Sequence, residues 1–180
     1  IALGFREKVK LVKDIDMICS LEKKIRINGL DSIQKDINEC TDHFLKISLQ
    51  LLLDQLSVEE LKEILNDNLY HMQRRHKQGI SFFETMATYA PSFGLLGTVI
   101  GLVKLLANIQ NPEMVGQGMA LALITTFYGL ILANLVFIPI SGRLKSLSFE
   151  ECLQKEMIIV GIIALANRSR SFVIKEKMQL

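Results

Sequence analysis

The sequence predicts an all-α membrane protein in which a long transmembrane helical hairpin is attached to a cytoplasmic helical domain. Two runs contain no Asp, Glu, Lys, Arg or His: residues 85–103, with 19 positions, and residues 114–142, with 29. Each run reaches the roughly 20 apolar residues that a helix needs to span the hydrocarbon of a bilayer. Outside these runs the chain is charged, and its apolar residues recur at helical spacing. One apolar block is therefore embedded in an otherwise polar helical protein.

The charge distribution divides the chain into three parts. Residues 1–84 are predicted to form a cytoplasmic helical domain, residues 85–142 the hairpin, and residues 143–180 a cytoplasmic C-terminal helix and tail. Lys and Arg flank both outer ends of the hairpin, whereas the link between its arms carries only Lys104 and Glu113. Because cytoplasmic flanks are enriched in Lys and Arg, both outer ends are expected to face the cytoplasm.

A soluble protein with a fully buried helical hairpin is the alternative interpretation. Charge-free runs of this length are uncommon in soluble domains, which favours the membrane. The chain begins at Ile1, and its first residues have neither the length nor the flanks of a signal peptide or a membrane span. Should further membrane helices precede Ile1, the chain would be the second half of a multi-pass protein.

The part before the hairpin is predicted to be helical because apolar residues recur at helical spacing. The recurring positions on three successive segments are Val9, Val12, Ile15 and Ile18, then Phe44, Ile47 and Leu51, then Leu56, Leu61 and Leu65. Asn28 and Gly29 are expected to break the first helix. Residues 57–60, Ser-Val-Glu-Glu, resemble a capping box that opens a helix at Val58.

After the hairpin, residues 152–165 are predicted to form one more helix. Its apolar face is expected to comprise Leu153, Met157, Val160, Ile163 and Ala164. Residues 168–177 are interpreted as a short basic tail. No strand is predicted, since the chain has no alternating β-rich run of useful length.

Composition and motifs exclude several functions. The net charge of +2, with no Lys/Arg tract interleaved with aromatic residues, argues against nucleic acid as a partner. No enzyme is predicted, because no nucleophile elbow, phosphate-binding glycine loop, HExxH or CxxC motif occurs. Cys40 and His43 have a spacing that suits metal ligands, but two ligands make a poor site, so no metal or other cofactor is predicted. The odd count of three cysteines indicates reduced thiols.

The informative polar residues inside the hairpin are Thr98, Thr125 and Thr126. Their hydroxyls can donate back to a carbonyl one turn earlier. Alternatively, their oxygens and nearby carbonyls can act as neutral ligands along a cation path. The residues alone leave both interpretations open. Because neither run contains Asp or Glu, any ion-exchanging step would need a carboxylate from a partner helix.

Both arms of the hairpin carry small residues three and four positions apart. These are Gly94, Gly97 and Gly101 on the first arm, and Thr126, Gly129 and Ala133 on the second. Such stripes let helix backbones approach closely in lipid, and they predict a helix bundle or an oligomer.

Three strings closely resemble the MotA/PomA subunits of bacterial flagellar stators: Arg-His-Lys-Gln-Gly at 75–79, Ala-Pro-Ser-Phe-Gly-Leu-Leu-Gly-Thr at 90–98 and Leu-Ile-Thr-Thr-Phe-Tyr-Gly at 123–129. The resemblance implies a multi-pass subunit of the bacterial inner membrane, assembled as a homopentameric ring around a MotB/PomB-type partner. That partner carries the ion-binding aspartate, and ion flow drives the rotor protein FliG. The chain would supply the third and fourth membrane helices, with the first two upstream of Ile1.

Carried onto this sequence, the resemblance assigns Thr98 and Thr126, with the adjacent Thr125, to the ion path. It assigns Pro91 and Pro139 to torque coupling. Proton-driven members usually have a small residue without a hydroxyl at the position of Thr98. The transported cation is therefore expected to be Na⁺, with H⁺ as the alternative.

The cytoplasmic rotor contact is less well matched. Arg26 fits the arginine that meets the rotor in this family, but the glutamate expected as its counterpart falls at Gln34, with Asp36 close by. The string Arg-Ser-Phe at 170–172 stands where many members have Asn-Pro-Arg. Two alternatives remain: an energiser subunit similar to ExbB/TolQ, and a passive two-span scaffold whose threonines and glycines only pack.

Overall fold

The computed structural model describes residues 2–179, and it describes side chains for residues 12–178. The described part is helical and contains no strand, so the predicted all-α class is confirmed. In chain order its elements are α1 (Ala2–Asn28), a 3₁₀ turn (Leu30–Ile33), α2 (Gln34–Glu39), α3 (His43–Leu53), α4 (Val58–Ala107), α5 (Pro112–Ile131), a π-helical segment (Leu132–Phe137), α6 (Ile138–Ala166) and α7 (Ser171–Gln179).

The chain divides into two compact units. Among the described residues, one comprises residues 2–73 and 149–179 and is called the cytoplasmic unit below, after the location that the sequence predicts for it; the other comprises residues 74–148 and is called the hairpin unit. The hairpin unit extends beyond the charge-free runs. Outside those runs, polar side-chain pairs join α4 to α6. His76 Nδ1 lies 3.0 Å from Ser148 Oγ, and Lys145 Nζ lies 2.5 Å from Glu84 Oε1.

The breaks and caps predicted in the cytoplasmic unit are present. Gly29 has a φ of +82° and its N–H donates to the Ile25 carbonyl at 2.9 Å, which ends α1. At the start of α4, the Ser57 N–H donates to Glu60 Oε2 at 3.1 Å and the Glu60 N–H donates to Ser57 Oγ at 3.2 Å, as in a capping box. The Ser57 hydroxyl and N–H that bind this carboxylate hold the pKa of Glu60 below its usual value.

The core of the cytoplasmic unit confirms two of the three residues predicted for the face of α4 and part of the face of α1; the third residue, Leu56, precedes α4 and is half-buried. Leu61 and Leu65 are buried, as are Ile15 and Ile18. Val12, however, is 56% exposed, so the predicted α1 face extends too far towards the N-terminus. The side chain of Val9, which was placed on the same face, lies outside the described residues.

The predicted apolar face of α3 is partly wrong. Ile47 is exposed and Phe44 and Leu51 are only half-buried, whereas the face turned to the core consists of Leu45, Ser48, Leu49 and Leu52. Ser48 interrupts this face in the sequence. Its hydroxyl donates to the Phe44 carbonyl at 2.7 Å, and this bond allows a polar residue to be fully buried.

The helix predicted over 152–165 is the last part of α6, and its predicted face is also partly wrong. Leu153 and Val160 are exposed, while Gln154 and Lys155 are buried together with Ile158, Ile159, Ile162 and Leu165. The polar pair is tolerated in the core because both side chains have partners. Gln154 Nε2 donates to Asp14 Oδ2 at 2.5 Å, and Lys155 binds Asp42.

The segment interpreted as a basic tail is mostly helical. Helix α7 covers Ser171–Gln179, and it buries Ile174 and Met178 in the same core. Its first residue is tied to α1, since the Ser171 hydroxyl donates to Glu22. Two apolar residues four positions apart are too few to stand out from the surrounding Lys and Arg, which is why the sequence reads as a tail.

Candidate functional site

The hairpin is built from two helices that are long and apolar enough to cross a membrane: α4, and the continuous helix from Pro112 to Ala166. Within their most apolar windows, only 17% and 11% of the residues are buried. A core helix of a soluble protein is mostly buried, so this exposure disfavours the soluble alternative. Apolar side chains that do not face the other arm are available for contact with lipid.

The two arms pack against each other along their small residues, which form a seam. A methyl group placed on Gly97 would lie 2.4 Å from Thr125 Cβ, and one on Gly101 would lie 2.7 Å from the Ala122 nitrogen. One on Gly129 would lie 2.8 Å from the Ala90 carbonyl oxygen. These distances are too short for any side chain, so the backbones meet only because these residues are glycine.

The predicted stripes are therefore occupied within the hairpin itself. A Cβ on Gly94 would come within 3.2 Å of Thr126 Cα and 3.4 Å of Gly129 Cα, and Ala133 is 2% exposed. The sequence also missed a member of the seam, Gly118, which faces Leu105 and Gly101. Because the stripes face each other, they give no independent indication of an oligomer.

All three predicted threonine hydroxyls donate to their own helix. Thr98 Oγ1 donates to the Leu95 carbonyl at 2.7 Å, and Thr126 Oγ1 to the Ala122 carbonyl at 3.2 Å. Thr125 Oγ1 lies 3.0 Å from the carbonyls of both Leu121 and Ala122. This is the back-bonded arrangement expected of membrane threonines. It uses the hydroxyl proton and leaves the oxygen with lone-pair capacity towards a cation.

The structure brings these threonines to different places. Thr125 lies in the seam, directly against Gly97. Thr126 borders it, since its Cα would lie 3.2 Å from a Cβ on Gly94. All three threonines are half-buried. Thr125 therefore has a packing role of its own, and the described hydrogen bond of Thr98 is the one to the Leu95 carbonyl.

The two predicted torque-coupling prolines lie inside the long helices, in different surroundings. Pro91 lies inside α4, directly after Ala90, whose carbonyl approaches Gly129 in the seam. Pro139 follows the π-helical segment, which sequence reasoning did not predict. Proline has no N–H and its ring crowds the carbonyl four residues earlier, so the widened turn accommodates it. Within that segment, Asn134 Nδ2 donates to the Leu130 carbonyl at 2.9 Å.

The predicted rotor-contact residues differ in availability. The Arg26 side chain is 62% exposed, with Nε 3.7 Å from Glu22 Oε1, and Gln34 is exposed at the start of α2. Asp36 is already paired, because Lys24 Nζ lies 2.6 Å from its Oδ2. Asp36, the one acidic residue among the three predicted contact residues, is thus already bound by Lys24.

Cys19, Cys40 and Cys152 are free thiols in the structure. Burial raises the pKa of Cys19, and it also raises the pKa of Cys40. Both therefore remain protonated at neutral pH, which makes them poor nucleophiles and poor metal ligands. Within the described residues, no three His, Cys, Asp or Glu side chains come together as a metal site.

The hairpin is apolar and largely exposed, and its two arms meet at glycines. Its two apolar runs contain hydroxyl and carbonyl oxygens but no charged side chain. These features define a multi-pass helical membrane protein. The model of the MotA/TolQ/ExbB proton channel family matches residues 36–157. The chain therefore belongs to this family, as the resemblance predicted.

Two named relatives locate the chain within the family. It is 37% identical over 179 residues to Motility protein A of Borreliella burgdorferi, covering 98% of this chain and 69% of the relative. It is 34% identical over 129 residues to Chemotaxis protein PomA of Vibrio alginolyticus, covering 72% of this chain and 51% of the relative.

Solved stator complexes share the fold. A chain of the MotAB structure from C. jejuni superposes with a TM-score of 0.87 at 24% identity, covering 93% of this chain and 66% of that one. A chain of the flagellar MotAB stator complex from Bacillus subtilis superposes with a TM-score of 0.82 at 29% identity, covering 91% of this chain and 64% of that one. The chain thus spans about half to two thirds of the length of these relatives.

Proposed function

We propose that this chain belongs to a flagellar stator subunit of the bacterial inner membrane, which conducts cations with a MotB/PomB-type partner and applies the resulting torque to the rotor protein FliG. The observation that carries the proposal is the absence of acidic residues from the two apolar runs of the hairpin, residues 85–103 and 114–142. The two arms are joined on glycines, and the charge-free runs offer a cation only neutral oxygens. Family membership and the names of the relatives, Motility protein A and PomA, support the same function.

The partner follows from charge. A cation that crosses hydrocarbon normally rests on an intramembrane carboxylate, and residues 85–103 and 114–142 contain none. The proposed partner helix supplies this group as an aspartate. The solved relatives are complexes of MotA with MotB, which supports a second subunit of this kind.

The ring is the second part of the proposal. Because the two arms already pack on each other, their outward apolar side chains must be covered by lipid, by membrane helices upstream of Ile1 or by neighbouring subunits. We propose a homopentamer, in which Pro91 and Pro139 let the hairpin bend as the ring turns. A helix that lacks a backbone hydrogen bond at proline bends there most easily.

The function is tested with the full-length protein that contains this chain. It is co-expressed with its MotB-type partner in a flagellated strain that cannot swim because its own stator genes are deleted. We expect swimming to be restored, and we expect the two proteins to purify together with five copies of this subunit per complex. Swimming with the partner's membrane aspartate changed to asparagine would contradict the proposal. A purified ring without the partner would contradict the proposed composition.

The proposed cation is Na⁺, and Thr98 is its proposed ligand. In the variant Thr98→Ala we expect half-maximal swimming speed to require at least about tenfold more Na⁺, since loss of one oxygen ligand of a cation should cost at least as much as loss of a hydrogen bond to a charged group, about 1.5–3 kcal/mol. Thr88→Ala is the matched control, because Thr88 is an exposed threonine of α4 whose Oγ1 donates to the Glu84 carbonyl at 3.0 Å. An unchanged Na⁺ dependence in Thr98→Ala, or swimming that responds to H⁺ alone, would exclude this role.

A further inference from the structure

The part of α6 that belongs to the cytoplasmic unit has a second apolar face, which the core of the chain does not use. Its apolar residues are Phe149, Leu153 and Val160, which are 70%, 42% and 38% exposed. Together with Glu156 they have the i, i+4, i+7 and i+11 spacing of one helix face. Single exposed apolar residues are ordinary, whereas a row of them on one face indicates a contact surface. These four residues are called the outer face of α6.

Helix α3 is apolar around most of its circumference. Apart from four residues, it consists of Phe, Leu and Ile. One side is buried in the core, and on the other side Ile47 is exposed while Phe44 and Leu51 are half-buried. A helix that is apolar all round is normally covered on all sides. We therefore expect a second surface to cover Phe44, Ile47 and Leu51, which are called the outer face of α3.

The two outer faces differ in charge. Glu156 is exposed within the outer face of α6, between Leu153 and Val160. Lys46 directly precedes Ile47, at the edge of the outer face of α3. Neither Glu156 nor Lys46 has an ion-pair partner within residues 12–178. The faces are thus both apolar and carry opposite charges, which is the complementarity expected of two surfaces that meet.

The two outer faces also lie at the same height in the cytoplasmic unit. Lys155, the neighbour of Glu156 in the chain, binds both carboxylate oxygens of Asp42 at the start of α3. Its ammonium group lies 5.4 Å from the centre of the Phe44 ring. Rotation of one subunit onto the next about a ring axis leaves every residue at its own height. The start of α3 in one copy is therefore level with Glu156 in the neighbouring copy.

We propose that the outer face of α3 in one copy of this chain packs against the outer face of α6 in the next copy, with Lys46 beside Glu156. The inference rests on the proposed homopentamer and adds a specific cytoplasmic contact to it. Two different faces make a heterologous contact, which closes into a ring when it is repeated around an axis. A face that contacts itself would instead produce a dimer.

The contact is tested by crosslinking in membranes that contain the full-length subunit with its MotB-type partner. All native cysteines are first changed to alanine, and Ile47→Cys and Leu153→Cys are then introduced together. A short bismaleimide is used as the probe, because a disulfide would demand a stricter geometry. We expect a ladder of covalent oligomers of up to five copies, since each subunit offers one thiol to each neighbour. Ile47→Cys alone and Leu153→Cys alone should give no oligomers.

The matched control for the crosslink is Lys62→Cys together with Leu153→Cys. Lys62 is exposed on α4 and belongs to neither outer face. A dimer from either single variant would show a face that contacts itself, and it would overturn the heterologous arrangement. A ladder no stronger than that of the control pair would also overturn the proposal.

The charge pair is tested by reversal. With Glu156→Lys we expect the detergent-solubilised rings to dissociate at about tenfold higher protein concentration, because two like charges then meet in the contact. Lys46→Glu in the same chain should restore the wild-type value. Glu63→Lys, at an exposed position of α4, is the control and should change nothing. A loss in Glu156→Lys that Lys46→Glu does not reverse would exclude the pairing.

These outcomes separate the contact from the function. If five copies purify with the partner and swimming is restored, but neither the ladder nor the charge rescue is found, the contact is overturned and the stator function stands. If the subunit purifies as a monomer and does not restore swimming, the proposed function fails and the contact fails with it.

Discussion

Gly97→Ala is expected to force the two arms of the hairpin apart. The added methyl group would lie 2.4 Å from Thr125 Cβ, 2.5 Å from its Oγ1 and 2.7 Å from its Cγ2. Repacking a filled interface around an extra methyl costs about 1–3 kcal/mol, and it costs more where backbone must move. The neighbouring side chain is stiff, because threonine is β-branched and the Thr125 hydroxyl donates to its own helix. We expect a lower thermal midpoint of the purified protein in detergent and loss of swimming.

The control for this prediction is Gly116→Ala in α5, where an added methyl meets nothing within 4 Å. Alanine favours a helix over glycine by about 0.8–1.0 kcal/mol, so this variant should be slightly more stable than the wild type. A second substitution at Thr125 distinguishes the steric clash with Gly97→Ala from a change in helix propensity. Thr125→Gly removes the clashing atoms and should restore the packing of Gly97→Ala, whereas Thr125→Ala keeps Cβ and should not. Equal midpoints for Gly97→Ala and Gly116→Ala would show that the seam is not closed at Gly97.

The seam also shows what the sequence could predict about the site. Charge-free runs and small-residue spacing located the hairpin and most of its seam, because both follow from constraints that act along a single helix. The surface that each small-residue stripe contacts depends on the other arm of the hairpin, so it cannot be predicted from the sequence of one helix alone. For the same reason the sequence left the role of the threonines open. It also missed the π-helical segment, for which Pro139 inside an apolar run was the available signal.

The errors in the cytoplasmic unit have a common cause. Apolar periodicity assigns a face by assuming that polar residues point to solvent. Ser48, Gln154 and Lys155 break that assumption, since each is buried with a hydrogen-bond partner. Two of these partners lie more than 100 residues away in the chain. Such pairs can be recognised only when the helices are packed together. The predicted apolar faces of α3 and α6 were therefore displaced around the helix from the faces that are buried.

The ion pair of Lys155 with Asp42 is expected to be the most sensitive polar contact of the cytoplasmic unit. Lys155 Nζ lies 2.9 Å from Asp42 Oδ1 and 2.8 Å from Oδ2, and the two side chains are only 8% and 13% exposed. Asp42 also caps α3, accepting from the N–H groups of Phe44 and Leu45 at 3.0 and 3.1 Å. The ammonium group further lies 5.4 Å from the centre of the Phe44 ring. One carboxylate thus fixes the start of α3 and a buried lysine of α6.

Lys155→Met keeps most of the side-chain volume but removes the ammonium group that binds both oxygens of the Asp42 carboxylate. Removing one partner of a buried pair costs about 3–5 kcal/mol, so we expect the amides of Phe44 and Leu45 to exchange hydrogen with solvent at least about a hundredfold faster. Lys62→Met, at an exposed position of α4, should leave this exchange unchanged.

The double variant Lys155→Met with Asp42→Asn shows whether the faster exchange in Lys155→Met is caused by loss of the charge pair or by loss of packing. Asparagine caps a helix nearly as well as aspartate and carries no charge to strand, so exchange at Phe44 and Leu45 should return most of the way to the wild-type rate. Asp42→Asn alone should be destabilising, because it leaves the lysine buried without a counter-charge. If the double variant exchanges as fast as Lys155→Met, loss of the charge pair is not the cause. The stability of this junction would then lie in the aliphatic stem of Lys155 and its contact with the Phe44 ring.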